Sequence, residues 1–282
     1  MKKVALIRII LYSVVLAILL VLLGFLLFGN RQGSWGLNQG NRTLLSGGEK
    51  ATAKQFSSAD IDEIVVKWIN GNIDISTGIG ENIEFSSTES SDYPTVYKLE
   101  NRRLTIAFCP RMPFRITVHQ EKKDLTLRLP QDWEAKKLTI ESVSADIQVS
   151  GLRSGELDLD NVSGNCTLED CVIREVEIET VSGDLTLSGS FETVKTDGVS
   201  AKCVLTATSC PDSIRMDTVS GNLELYFPEE YGFQVDLDGL NKSFQSDLST
   251  TTEDGRYIHP GNETCLISVN TVSGSLTIHK AS

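Results

Sequence analysis

From Leu138 onward the chain alternates apolar and polar residues with period two, and the alternation is broken and restarted at a recurring corner. The corner reads Val143-Ser144-Ala145, Val162-Ser163-Gly164, Val181-Ser182-Gly183, Val199-Ser200-Ala201, Val219-Ser220-Gly221 and Val272-Ser273-Gly274. Successive valines are 19, 19, 18, 20 and 53 residues apart. Five residues before each Val stand Leu138, Leu157, Val176, Val194, Ile214 and Ile267; three before stand Ile140, Leu159, Ile178, Thr196, Met216 and Val269. Four after stand Ile147, Cys166, Leu185, Cys203, Leu223 and Leu276, and six after stand Val149, Leu168, Leu187, Leu205, Leu225 and Ile278. Period two predicts strands, and a regular re-phasing predicts a turn. A repeat near 19 residues predicts an all-β fold, a parallel β-solenoid whose equivalent residues stack about 4.8 Å apart, rather than an antiparallel sandwich. In this reading Val fills the core and Gly makes the turn, at Gly164, Gly183, Gly221 and Gly274.

The rest of the chain divides around these coils. Residues 30–58 form a linker rich in Gly, Asn, Gln, Arg and Ser, without an apolar period. Residues 59–134 read as an irregular β region whose first part, Ile64 to Ile75, is a degenerate coil with Asn70 in the Ser place. Strands are predicted at Asn82–Ser86, Thr95–Glu100, Leu104–Phe108, Phe114–His119 and Leu125–Leu129, as hairpins capping one end of the stack. Regular coils occupy 135–227. Residues 228–282 hold a polar excursion, with a strand at Phe233–Leu237, and then the closing coil. Capping is expected because an open coil end exposes strand edges.

Ahead of all this, Ile9 to Phe28 is an uncharged run of Leu, Ile and Val preceded by Lys2, Lys3 and Arg8. As a helix it spans about 30 Å, enough to cross a bilayer. The leading cations place the N-terminus in the cytoplasm and the remainder outside. The run exceeds a signal-peptide core and no small-residue cleavage site follows, so residues 1–29 read as a single-pass signal anchor.

Candidate chemistry lies two residues before each Val, where Glu141, Asp160, Glu179, Asp197 and Asp217 line up, followed by Asn270. Neighbouring carboxylates at coil spacing repel by about 0.9 kcal/mol in water before screening. Asp158 and Glu177 widen the patch. The column suits a divalent-cation ladder, with calcium the fitting ion; it equally suits a solvated face that keeps the coils from aggregating. No fixed Gly-Asp calcium spacing is present, which favours the solvated face. The serines of the corner, Ser144, Ser163, Ser182, Ser200, Ser220 and Ser273, read as turn residues bonding nearby backbone. A nucleophilic serine would need a base, and His119, His259 and His279 sit in no recognisable constellation with them. No catalytic residue and no cofactor is expected.

Of the six cysteines, Cys166 and Cys203 fall on inward columns two coils apart, too far to bond each other, and read as small buried hydrophobes. Cys166–Cys171 and Cys203–Cys210 remain open as local bridges; Cys109 and Cys265 have no assigned role. Beyond residue 30 there are 23 basic and 38 acidic side chains. That balance disfavours nucleic acid and anionic lipid as partners and suits cations or basic proteins.

The anchor, the segment Thr180-Val181-Ser182-Gly183-Asp184-Leu185-Thr186-Leu187, the terminal Asn270 to Ile278 repeat, Leu127-Arg128-Leu129-Pro130 and Tyr231-Gly232-Phe233 together resemble the bacterial putative-adhesin family. This is a domain of unknown function that includes LiaG-like envelope proteins, and the resemblance covers residues 60 to 282. It implies a membrane-anchored extracytoplasmic β-solenoid of a Gram-positive bacterium, tied to cell-envelope homeostasis, and lends no catalytic residues. The expectation is a non-enzymatic scaffold or interaction protein of the cell membrane that contacts another envelope protein. The alternatives are a carbohydrate-active or carbohydrate-binding protein using the acidic face, and a polymer-forming solenoid.

Overall fold

The computed structural model describes residues 45, 47–88, 94–108 and 122–281. All described strands join one sheet. They are β1 (Glu49–Lys50), β2 (Ala53–Ser57), β3 (Glu63–Gly78), β4 (Asn82–Ser87), β5 (Thr95–Glu100), β6 (Arg103–Phe108), β7 (Leu125–Pro130), β8 (Ala135–Ser150) and β9 (Arg153–Asn161). They continue as β10 (Cys166–Ser182), β11 (Leu185–Ser200), β12 (Lys202–Ala207), β13 (Ser213–Phe227), β14 (Tyr231–Ser246), β15 (Thr251–Glu253), β16 (Arg256–His259) and β17 (Glu263–Lys280). Among the described residues no helix is long and apolar enough to cross a membrane. The anchor Ile9–Phe28, the strand predicted at Phe114–His119 and Cys109 lie outside the described residues.

The repeat is a stack of coils in parallel register. Leu138 of β8 pairs with Leu157 of β9, Val176 of β10 with Leu157, Val194 of β11 with Val176, and Ile214 of β13 with Val194. After the corner, Ile147, Cys166, Leu185, Cys203 and Leu223 form the matching column. Residues of both columns are buried, because each strand hides one face and shows the other. The degenerate first coil joins the stack as expected, with Asn70 on Ser144 and Gly71 on Ala145.

Length changes between coils collect at the corner opposite Val-Ser-Gly. The 18-residue spacing arises there, where the register slips between Leu168–Leu187 and Cys171–Gly189 and Asp170 takes a φ of 53°. The 20-residue spacing comes from the Thr208–Asp212 stretch at the same side, since Gly189 pairs with Ala207 but Thr193 with Ser213. The excursion after Phe227 also departs there. Among the coils from β8 to β17 one corner keeps a constant length and the other absorbs insertions, whereas the outer coil of β6 and β7 has 12 extra residues at the first corner.

Both ends depart from chain order. β17, last in sequence, lies between β13 and β14, so the excursion strand β14 is the outer coil. β16 pairs antiparallel with β14 over Phe233–Val235, and Tyr257 stacks on Phe244 at 4.1 Å between ring centroids. At the other end β6 and β7 form the outer layer on β3. Antiparallel β5 and β4 cover them, and β1 and β2 follow. The predicted hairpin cap is therefore present. β1 and β2 occupy residues assigned above to the linker; they are short and mostly exposed, so no apolar period marks them.

The corner differs from its expected form in one respect. Val143, Val162, Val181, Val199, Val219 and Val272 are half-buried and belong to no part of the core. Alternation runs unbroken through Val, so the inward side chain is the one before it: Ser142, Asn161, Thr180, Gly198, Thr218 and Thr271. The re-phasing falls on Ser-Gly. There the backbones of adjacent coils nearly touch, and a Cβ on Gly183 would stand 2.1 Å from the Gly164 carbonyl oxygen, at a φ of 129°. Gly183→Ala should therefore cost about 2–4 kcal/mol by chemical denaturation, through strain and loss of stacking. Gly78→Ala, where nothing lies within 4 Å of the added carbon, should stay within about 0.5 kcal/mol. Equal effects of the two would refute the close-approach account.

Candidate functional site

The acids predicted to form a column do so. Glu141, Asp160, Glu179, Asp197 and Asp217 are consecutive coil partners, and Asn270 continues the line. A parallel column two residues earlier holds Thr139, Asp158, Glu177, Lys195 and Arg215. Cations border the patch along its length. Lys67 holds both Glu141 oxygens at 2.8 Å, and Lys137 lies 2.5 Å from Glu156 and 3.2 Å from Asp158. Lys195 bonds Glu177 and stands 3.4 Å from Asp197. Arg215 lies 2.6 Å from Asp217, which also accepts a 2.6 Å bond from Asn270 Nδ2 and is buried rather than outward.

Asp160 and Glu179 in the middle have no ion pair among the described residues. Asp160 is exposed by area, yet neighbouring coils crowd its carboxylate. That desolvation, and then the charges of Glu179, Asp158, Glu141 and Glu177, push it up to about 6. Glu179 and Asp197 are also raised, burial being the largest cause in each. One oxygen each from Glu177, Glu179 and Asp197 lie within 4.8 Å of one another. Three carboxylates fall short of the six to eight oxygens that calcium takes, and the Lys195 ammonium already competes for two of them.

The corner serines do structural work where their bonds are resolved. Ser144 Oγ donates to the Ile69 carbonyl at 3.3 Å and Ser163 Oγ to that of Val143 at 3.4 Å, each one coil away. Ser182, Ser200, Ser220 and Ser273 stack in the same column. A second ladder, absent from the sequence reading, lies two residues further on. Asp146 Oδ1 accepts the Asn165 N–H at 2.9 Å, Asn165 Oδ1 the Asp184 N–H at 3.0 Å, and Asn222 Oδ1 the Ser275 N–H at 3.1 Å. Its signal was available: the residue after the corner Gly or Ala is Asp, Asn or Ser in most copies.

The described histidines, His259 and His279, form no triad with the corner serines. His259 is buried, and its two ring nitrogens face the carbonyl oxygens of Ser249 and Glu229 at 2.7 and 3.1 Å. Both ring nitrogens are engaged by backbone of the cap, which suits a fastener between its segments. His279 faces Asp247 at 3.1 Å, and His119 lies outside the described residues. Cys166, Cys171, Cys203, Cys210 and Cys265 are free thiols, so neither local bridge forms. Burial pushes Cys166 and Cys203 up to about 12, leaving them as inert filler. A groove of about 550 Å³ between the β3–β4 and β7–β8 turns is lined by Ile79, Pro130 and Trp133 together with polar residues that include the carboxylates of Glu81 and Asp132, and no histidine, cysteine or lysine joins them there.

A parallel stack of β coils bearing an acidic face, without a catalytic constellation among the described residues, defines an all-β repeat domain of the β-solenoid kind. The chain belongs to the Toastrack DUF4097 family, which matches residues 61–209. No curated protein matches it. Similar solved structures include a putative cell adhesion protein from Clostridium sporogenes, 11% identical, covering 83% of this chain and 99% of that one, with a TM-score of 0.43. A putative adhesin from Bacteroides fragilis is 10% identical over 81% of this chain and 95% of that one, TM-score 0.46. A putative lipid binding protein from Parabacteroides distasonis is 13% identical over 82% and 96%, TM-score 0.41. No functional statement about this chain follows from these likenesses.

The raised Asp160 gives a signed prediction. The folded chain keeps that proton up to about pH 6, whereas the unfolded chain releases it near 3.8. The folded state thus binds more protons in between, and this residue's contribution to stability falls as pH rises from about 4 to 6. Asp160→Asn should raise the melting midpoint at pH 7.5 by about 2–4 °C, on the order of 1 kcal/mol after solvent screening. The gain should fade towards pH 4. Unchanged melting at pH 7.5 would show that crowding does not load this carboxylate.

Proposed function

We propose that this protein is a non-enzymatic scaffold of the bacterial cell envelope. Helix Ile9–Phe28 anchors it in the cell membrane, and the β-coil body stands outside, presenting a fixed face to another envelope protein. The observation that carries the reading is the in-register stack. Columns of identical spacing run along the body through β8 to β17, and the length changes among these coils fall at one corner. Such a construction holds outward side chains at fixed positions, which suits recognition. The acidic face supports a protein partner with basic character over nucleic acid or anionic lipid. The ring contacts of His259 and the backbone bonds of the corner serines support the non-enzymatic half of the reading.

Two measurements test it. A phosphatase reporter fused after Ser282 should be active only when residues 1–29 are present, giving a membrane-bound, outward-facing product; activity lost into the cytoplasmic fraction would refute the anchor. Asp160→Asn with Glu179→Gln should leave the fold intact and cause no loss of glycan turnover or glycan binding. Loss of either in a variant that melts no lower than the parent would favour a carbohydrate-directed protein instead.

A further inference from the structure

The side chains that recur most strictly, the corner valines, are the ones the core does not use. Val143, Val162, Val181, Val199, Val219 and Val272 stack as a half-buried apolar ridge on the outward side. Ile69 extends it at one end, and Leu240, 48% exposed, at the other. At about 4.8 Å per coil the ridge is about 34 Å long. Because outward positions alternate, the acid column lies immediately beside it, about 7 Å away along each strand. The middle of the ridge, Val162 and Val181, runs next to Asp160 and Glu179, the two acids without an ion pair among the described residues.

From this juxtaposition we infer that the ridge is a docking surface for a basic amphipathic helix of an envelope protein. The inference rests on the scaffold reading and names what the scaffold holds. The helix lies along the solenoid axis, with its apolar stripe on the valines and its lysines or arginines over the central acids. Spacing selects a helix. Its side chains recur every 5.4 Å along one face, about 0.6 Å off the coil spacing per step, and so stay in phase over about four coils, whereas an extended peptide repeats its same-side residues at about 6.7 Å and falls out of phase within two. Charge selects the sign. A second copy of this chain would bring acids against acids, its formal net charge being −12, and an anionic membrane surface is repelled likewise.

The test uses the full chain in zwitterionic nanodiscs, with empty nanodiscs as control. The probe is a labelled synthetic 18-residue helix carrying a leucine stripe flanked by lysines. Fluorescence anisotropy should show binding to the full chain, with at least tenfold weaker binding of a scrambled peptide and of an analogue with Glu for Lys. V162T/V181T, which keeps side-chain shape, should weaken binding about tenfold with an unchanged melt. D160N/E179Q should weaken it and flatten its salt dependence. Equal binding of the scrambled peptide, no binding at all, or indifference to V162T/V181T overturns the docking surface. Photocrosslinkers placed in cells at Val181 and at Thr186, on the arm past the corner, separate the two levels. A defined protein partner reached from Thr186 alone overturns the ridge and keeps the scaffold; no protein partner from either position overturns the scaffold as well.

Discussion

Everything in this molecule depends on backbone hydrogen bonds between one coil and the next at a fixed register. A parallel stack of this kind has no tolerance for slippage, because a one-residue shift would turn each buried Leu or Ile outward. The Val-Ser-Gly corner sets that register. Glycine lets the Gly183 backbone lie against Gly164. Asn161 Nδ2 bonds the Ala145 and Gly164 carbonyls, each at 3.2 Å, and ties two coils together. The ladder of Asp146, Asn165 and Asp184 repeats the tie on the next position. Insertions at this corner would cut these bonds, and within the coils from β8 to β17 the chain places them at the other one; the outer coil of β6 and β7 carries its insertion here, where only one neighbour is stacked on it.

Much of this was legible in the sequence. The inward columns and the acid column follow from counting from each Val, the degenerate first coil from its likeness to the repeat, and the hairpin cap from irregular strands separated by charged turns. Three features were not read correctly, for separate physical reasons. Val was assigned to the core because it is apolar, although its distance from the inward residue at −3 is odd, which puts it outside. Asp217 was placed with the outward acids by spacing, but Arg215 and Asn270 cover it, and cross-coil contacts of long side chains have no local signature. The excursion covers the far end of the stack as expected, but the place of β17 inside it was illegible. β17 slots inside β14 because the two run parallel over nearly their whole lengths, a long-range pairing that a period cannot reveal.

The division of labour among columns explains why the face can carry function. Inward positions and the corner Gly are committed to packing and close approach. Outward positions beyond the local ion pairs are not, and there the chain keeps a costly arrangement: like charges in register, with Asp160 crowded and without an ion pair among the described residues, beside an apolar ridge left half in water. Neither feature is needed to hold the coils. Their adjacency is what a basic, amphipathic partner would satisfy.

Hydrogen–deuterium exchange of the folded protein, read at single residues, tests the rigid-coil premise most directly. The amides of Ser163, Asn165, Ser182 and Asp184 each bond the preceding coil, so they should exchange only with global unfolding, as slowly as Leu159 and Ile178 in the arms. Fast exchange at these corners with protected arms would mean two sheets hinged along Val-Ser-Gly, and would contradict a fixed recognition face.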